Sequence, residues 1–263
     1  MTRGSEHKPA GHSRGALLVV LVLLGALPGL RDAQALGRED AVEVRRVSVG
    51  KDGEEARPKA AERLSWEVRK RTSIETSLNP GSVRLDDPSI FRSPLLYWSS
   101  DRGFAPLSDK ELSGLRRFVE YGGFIVIDDA SPEAGAFDAS VRRALLAAFP
   151  GERLARLPND HTIFRSFYLL DRPAGRVADP GYVEVIMHAG RAAVIYSRLD
   201  LGGAWTAGDD RGDSLFAITP GGAAQREVAV RFGVNLVMYA LCLDYKDDQV
   251  HAPFILRRRA GRP

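Results

Sequence analysis

The stretch "SDKELSGLRRFVEYGGFIVIDDASP", residues 108–132, decides the fold class. Ser108 and Glu111 have the spacing of a capping box, in which the two side chains satisfy backbone N–H groups at the start of a helix. Apolar residues then recur every three or four positions until Gly122 and Gly123 end the pattern. The next segment, "FIVI", is continuously apolar, which is typical of a parallel strand covered on both faces. A helix that leads into a buried strand predicts an α/β sheet.

The rest of the chain alternates in the same way. Strand patterns cover residues 41–49, 82–85 and 94–100, and helix patterns cover residues 59–72 and 137–149. Two apolar runs within residues 182–197 are separated by Ala189-Gly190, which predicts a β-hairpin. We therefore predict a single α/β domain, with "FIVI" as a central parallel strand.

The C-terminal third begins with a Gly-rich stretch. Residues 199–224 are predicted to form a loop, long enough to suggest function rather than simple connection. Residues 226–243 are almost entirely apolar and predict a buried core helix, which Arg231 and Asn235 distinguish from a membrane span. Cys242, the only cysteine, is expected to be packed in this helix. A basic tail follows.

The N-terminus has the features of a secretory signal. Basic residues precede the apolar core of residues 15–30, and "AQA" (33–35) is a small-residue cleavage site. We expect residues 1–35 to be removed, leaving 36–263 in the periplasm or outside the cell. The alternative is a protein anchored in the membrane by residues 15–30. The exported part has 33 Lys and Arg against 32 Asp and Glu, so its net charge is +1 and no nucleic-acid partner is expected.

Two acidic positions follow predicted strands. Asp128 and Asp129 end the "FIVI" strand, and Asp200 follows the second strand of the hairpin. Ligands of open parallel sheets bind beyond the carboxyl ends of the strands, where carboxylates can hold cations or transfer protons. Because side chains alternate along a strand, only one of the adjacent aspartates is expected to face a crevice. The other would cap the turn that follows, and a purely structural role for all three remains open.

His161 is the histidine with the most suggestive surroundings. It lies in "LPNDHTIFRSFY" (157–168), a loop segment that also carries Asp160. Neighbouring carboxylates would raise its pKa and suit it to proton transfer, although loop histidines are often structural. We expect any site to bring His161 close to Asp128 or Asp129 and Asp200. Trp205 is predicted on a rim loop, which the two preceding glycines would leave free to close over a ligand.

Several long segments, in order, resemble the bacterial DUF4159 family. They include "LSDKELSGLRRFVEYGGFIVIDDAS", "LPNDHTIFRSFY", "VIYSRLDLGGAW" and "RFGVNLVMYALCLDYKDDQVHAPFILRRR", within about residues 41–259. The resemblance implies a class I glutamine-amidotransferase-like fold, with a flavodoxin-like parallel sheet flanked by helices, and it implies no reaction. The enzymes of that fold carry a cysteine at a strand-to-helix turn. The analogous turn here contains Ser131 followed by Pro132 and has no cysteine, so thiol chemistry is not expected.

Three functions remain open. The first is a non-catalytic domain that binds a small molecule or an envelope protein. The second is a hydrolase or metal-dependent enzyme that uses Asp128 or Asp129, His161 and Asp200. The third is an envelope component tethered by its N-terminus. The sequence contains no zinc or P-loop signature, so we expect no metal or cofactor.

Overall fold

A computed structural model describes residues 41–49, 55–206 and 215–260, with side chains as far as Cys242. Seven strands form one sheet in the order β2-β1-β3-β4-β7-β6-β5. Their bounds are β1 Val44–Ser48, β2 Ser82–Arg84, β3 Leu95–Ser100, β4 Phe124–Asp129, β5 Ala155–Arg156, β6 Val183–His188 and β7 Arg191–Ser197. The predicted signal peptide and the side chains of the basic tail lie outside the described residues.

The sheet is mostly parallel, as predicted. Strands β2, β1, β3, β4 and β7 pair in parallel, and β6 pairs antiparallel with β7 and β5. Taken in chain order, the five parallel strands have the 2-1-3-4-5 arrangement of flavodoxin-like sheets. Ala189 and Gly190, both with positive φ, form the turn of the β6–β7 hairpin. The fold is therefore a single α/β domain.

Helices cover both faces of the sheet. Their bounds are α1 Ala60–Arg71, α2 Asp109–Glu120, α3 Ala136–Ala148, α4 Leu201–Trp205 and α5 Gly222–Ala260, and 3₁₀ turns occupy Pro88–Arg92 and Thr162–Arg165. Helices α1, α4 and α5 pack together on one face, and α2 and α3 pack together on the other. The predicted capping box at the start of α2 is present, with Glu111 N–H bonded to Ser108 Oγ and Ser108 N–H bonded to Glu111 Oε2.

Strand β4 is the centre of the core. All six of its residues are buried, and it pairs with β3 on one side and β7 on the other. Phe124 and Val126 belong to the apolar cluster beneath α1 and α5, and Ile125 and Ile127 belong to the cluster beneath α2 and α3. Burial on both faces explains the unbroken apolar run and confirms the central parallel strand.

The C-terminal third differs from the prediction. The stretch predicted as one loop contains helix α4, and residues 207–214 lie outside the described residues. Helix α5 also extends beyond residues 226–243 at both ends. Cys242 is exposed rather than packed. In the part of the chain that the structure describes, no helix combines the length and the apolar character needed to cross a membrane.

Asn235 explains how a polar residue fits inside the buried part of α5. Its Oδ1 accepts hydrogen bonds from the backbone N–H groups of Phe167 (3.2 Å) and Tyr168 (2.7 Å). Its Nδ2 donates to the carbonyl oxygen of Tyr168 at 2.9 Å. The side chain is fully buried, and it fixes the loop that follows the second 3₁₀ turn against the helix.

Candidate functional site

Asp128 lies at the carboxyl end of β4, on the face covered by α1. Its Oδ2 accepts hydrogen bonds from the Tyr97 hydroxyl (2.9 Å) and the Gly202 N–H (2.8 Å), and its Oδ1 accepts one from the Leu201 N–H (2.9 Å). The residue is completely buried. Two of these donors belong to the first turn of α4, so Asp128 holds that short helix against the end of the strand.

Asp200 lies next to Asp128 and is also completely buried. The Arg57 guanidinium donates to both of its carboxylate oxygens, at 3.0 Å and 2.8 Å, and Arg176 Nε donates to Oδ2. The Gly203 N–H donates to Oδ1 at 2.9 Å, which makes Asp200 the N-cap of α4. Its backbone is left-handed, with φ 50° and ψ 62°, an unfavourable conformation that these bonds offset.

The glycine pair of α4 is required for close packing. A Cβ at Gly202 would lie 2.3 Å from the Tyr97 hydroxyl oxygen, and one at Gly203 would lie 2.4 Å from Asp200 Oδ2. These glycines therefore bring the helix backbone onto the two carboxylates. The prediction that these glycines leave a loop free to close over a ligand is therefore wrong.

Trp205 is not on a rim loop, in contrast to the prediction. It is the last residue of α4 and only 1% exposed. Its Nε1 donates to the carbonyl oxygen of Ala229 in α5 at 2.9 Å, and its ring packs against that of Tyr97. Trp205 therefore belongs to the core between α4, α5 and the sheet.

His161 is separated from the two aspartates, so the predicted grouping is wrong for this residue. Its ring packs against Tyr239, which in turn contacts Phe124, the first residue of β4. Asp128 lies four residues further along that strand, a rise of about 13 Å. His161 Nδ1 accepts the Ile163 N–H at 3.2 Å and caps a 3₁₀ turn, and burial lowers its pKa despite the opposing effect of Asp160.

Asp129 faces the opposite side of the sheet from Asp128, as the alternation of side chains predicted. Its Oδ1 accepts the Ser131 N–H at 3.0 Å and so stabilises the turn after β4. Its Oδ2 is buried and has no hydrogen-bond partner within the described residues. Burial, the largest effect, raises its pKa to about 6.

A family model described as a domain of unknown function, DUF4159, matches residues 43–241. The chain belongs to the DUF4159 family. The match covers all seven strands and most of the helical residues described above. A comparison with curated proteins finds no match.

The electrostatics of the DUF4159 domain centre on the two buried carboxylates. Burial and repulsion by Asp200 raise the pKa of Asp128 to about 7, despite the hydrogen bonds from α4 and Tyr97. Burial, together with the charge of Asp128, keeps the pKa of Tyr97 well above its usual value. The pKa of Arg57 is raised although burial opposes this, because Asp200 binds and attracts its charged form.

The turn after β4 has no activated nucleophile. Ser131 Oγ donates to the Glu133 carboxylate at 3.0 Å. His161 lies at the other end of the strand, so it is not placed to act as a base for Ser131. Nucleophilic serines need a base that is itself oriented by a third group. In the described part of the domain, no group of three or more His, Cys, Asp or Glu side chains could hold a metal ion.

Three residues of this cluster were missed from the sequence. Arg57 and Arg176 lie in loops among many other arginines, and Tyr97 lies inside an apolar strand. Besides the strand-end aspartates, the glycine pair Gly202-Gly203 is a signal for the cluster, because glycines allow a close approach of the backbone.

Proposed function

We propose that this protein is a non-catalytic binding domain, with its ligand at the carboxyl edge of the parallel strands. One observation supports this above the others. Asp200 accepts four hydrogen bonds, about the full capacity of a carboxylate, and Asp128 accepts three. Carboxylates that are saturated by protein donors stabilise the fold and are poorly placed to take a proton from a substrate.

On the face of the sheet that carries Asp128 and Asp200, Arg176 keeps hydrogen-bond donors for a ligand. Arg176 is bonded to Asp200 through Nε, and its side chain is 20% exposed. The terminal nitrogens of an arginine match the oxygens of a carboxylate or phosphate. The site thus favours recognition of a ligand by a cationic side chain, rather than cation binding by the aspartates.

Thermal shift with a panel of metabolites and metal ions tests the proposal. A ligand that binds only the folded state raises the melting temperature. We expect Arg176→Ala to lose that shift and Arg153→Ala, which changes an exposed arginine after α3, to keep it. Mass spectrometry of the ligand after incubation completes the test, because time-dependent conversion would refute a non-catalytic role.

A hydrolase or other enzyme is the alternative function, and one observation favours it. The pKa of Asp128, raised to about 7, would suit a group that transfers protons near neutral pH. The conversion assay separates the two functions. Turnover that Asp128→Asn abolishes would support the enzyme.

We further propose that the protein is exported, on the basis of its N-terminal sequence. The basic start, the apolar core of residues 15–30 and the "AQA" site form the pattern of a cleaved signal. Mass spectrometry of the protein from its native envelope should find Leu36 at the N-terminus. An intact N-terminus would instead favour the membrane-tethered form. A kinship with amidotransferase-like folds is likewise a proposal, supported by the flavodoxin-like strand order.

A further inference from the structure

Arg176 keeps most of its N–H donors unpaired among the described residues, and its side chain is 20% exposed. A guanidinium has five N–H donors, and in the described part of the chain only Nε of Arg176 has a partner, Asp200. Neither terminal nitrogen is among the buried atoms that lack a partner, so both are accessible. Asp200, which Arg57 also binds, holds Arg176 at Nε. The two terminal nitrogens of Arg176 have no partner among the described residues.

The turn after β4 places a carboxylate at the same edge. Arg57 Nη2 donates to the Ala130 carbonyl oxygen at 3.1 Å, which joins this turn to the arginine pair. Ser131 Oγ holds the Glu133 carboxylate at 3.0 Å. Hydrogen bonds from its own backbone and from Ser131 lower the pKa of Glu133, and the charges of Arg176 and Arg57 add to this effect. Glu133 is therefore ionised at neutral pH.

The charge of Arg176 acts on Glu133, although the two side chains do not form an ion pair. Among the described residues, the ion pairs of Arg57 and Arg176 within 4 Å are those with Asp200. The exposed Glu133 carboxylate and the terminal nitrogens of Arg176 are thus two opposite charges on one edge, each open to a further partner. A simple anion on Arg176 would be repelled by Glu133, whereas a ligand with both charges would satisfy both groups.

We propose that the binding site takes a small ligand in which an anionic oxygen group and an amine are joined by a short linker. The anion binds the terminal nitrogens of Arg176, and the ammonium binds Glu133. Amino-alkyl phosphates and ω-amino acids have this chemistry, and so does the headgroup of phosphatidylethanolamine. The inference rests on the binding function proposed above and specifies the class of ligand.

Calorimetric titration with O-phosphoethanolamine, inorganic phosphate and ethylamine tests each charge separately. We expect O-phosphoethanolamine to bind at least about tenfold more tightly than phosphate, the effect of one charged hydrogen bond. Glu133→Gln should remove that preference and leave phosphate binding no weaker. Arg176→Ala should abolish binding of both. Glu133 is exposed, so its variant does not threaten the fold, and the exposed controls Glu120→Gln and Arg153→Ala should bind like wild type.

Equal affinity for phosphate and O-phosphoethanolamine, or a preference that survives Glu133→Gln, would overturn the inference. So would failure of all three probes to bind while a metabolite of another class binds through Arg176, although the proposed binding function would then stand. Vesicles distinguish the sources of the ligand. Binding to phosphatidylethanolamine but not phosphatidylcholine vesicles, lost in Glu133→Gln, would identify the lipid, and binding of the free compound alone would identify a soluble metabolite.

Discussion

Replacing Gly202 by alanine tests whether the glycines of α4 serve packing or flexibility. The new Cβ would lie 2.3 Å from the Tyr97 hydroxyl oxygen, 3.0 Å from Arg57 Cβ and 3.1 Å from Ala60 Cβ. The Tyr97 hydroxyl and the Gly202 N–H both donate to Asp128 Oδ2. Either the tyrosine or the helix must move, and either movement breaks a hydrogen bond to a buried carboxylate.

The expected loss of stability has two parts. Overpacking of a buried site costs about 1–3 kcal/mol. Loss of one hydrogen bond to a charged group adds about 1.5–3 kcal/mol. Gly202→Ala should therefore lower the free energy of unfolding by about 2.5–6 kcal/mol, a large share of the roughly 5–15 kcal/mol typical of a domain. A flexible loop would respond differently, because Gly→Ala at an unstrained position stabilises by about 0.4–1 kcal/mol.

Urea unfolding followed by circular dichroism measures this difference. Gly151→Ala is the matched control, since a Cβ there meets no atom within 4 Å. Tyr97→Phe removes the shortest of these contacts, the one with the hydroxyl oxygen. In that background Gly202→Ala should cost less by about 0.5–3 kcal/mol. The reasoning fails if Gly202→Ala is as mild as Gly151→Ala, or if its cost is the same with and without the Tyr97 hydroxyl.

Three further predictions concern buried polar groups. Because burial raises the pKa of Asp128 in the folded protein from its usual 3.8 to about 7, ionisation of Asp128 makes folding less favourable as pH rises between about 4 and 7. The stability deficit of Asp128→Asn in urea should accordingly shrink across that range, and a constant deficit would contradict the raised pKa. Arg57→Ala leaves Asp200 buried with fewer donors and should lower the free energy of unfolding, measured in urea, by about 3–5 kcal/mol. A loss no larger than that of Arg153→Ala would show that Arg57 is dispensable. Asn235→Ala orphans two backbone N–H groups and should cost about 2–4 kcal/mol in urea, with hydrogen exchange accelerated at Tyr168; unchanged exchange there would contradict the role given to Asn235.

The sheet could be predicted from the sequence because its signals are local. The capping box at Ser108 and the glycines before Phe124 fix one helix and the start of the next strand within a few residues. The continuous apolar run then requires cover on both faces, and this makes β4 central. Helix α4 escaped prediction because five residues containing two glycines have no helical pattern. Its stability comes from Asp128 and Asp200, which are contributed by other parts of the fold.

The candidate site was predicted only in part because it depends on contacts across the chain. Asp128 and Asp200 lie 72 residues apart in the sequence and meet because β4 and β7 are neighbours. The grouping of His161 with them rests on its residue type, its loop and its neighbour Asp160, and none of these shows which end of a strand the loop will reach. Arg57 pairs with Asp200 over a separation of 143 residues, beyond any pattern of spacing.

Burial of the aspartates reverses the chemistry that their sequence positions suggested. Acidic residues at strand ends point to a cation site or to proton transfer, and both require a carboxylate with free oxygen lone pairs. For Asp128 and Asp200, the amides of α4, the Tyr97 hydroxyl and the two arginines occupy most of those lone pairs. Among the described residues at this edge, the terminal nitrogens of Arg176 and the Glu133 carboxylate can form new bonds, and Asp129 Oδ2 lies unpaired but buried on the opposite face of the sheet. Under the binding function proposed above, recognition at this edge begins with Arg176, which Asp200 holds in position, and the charge of that arginine favours an anionic group on the ligand.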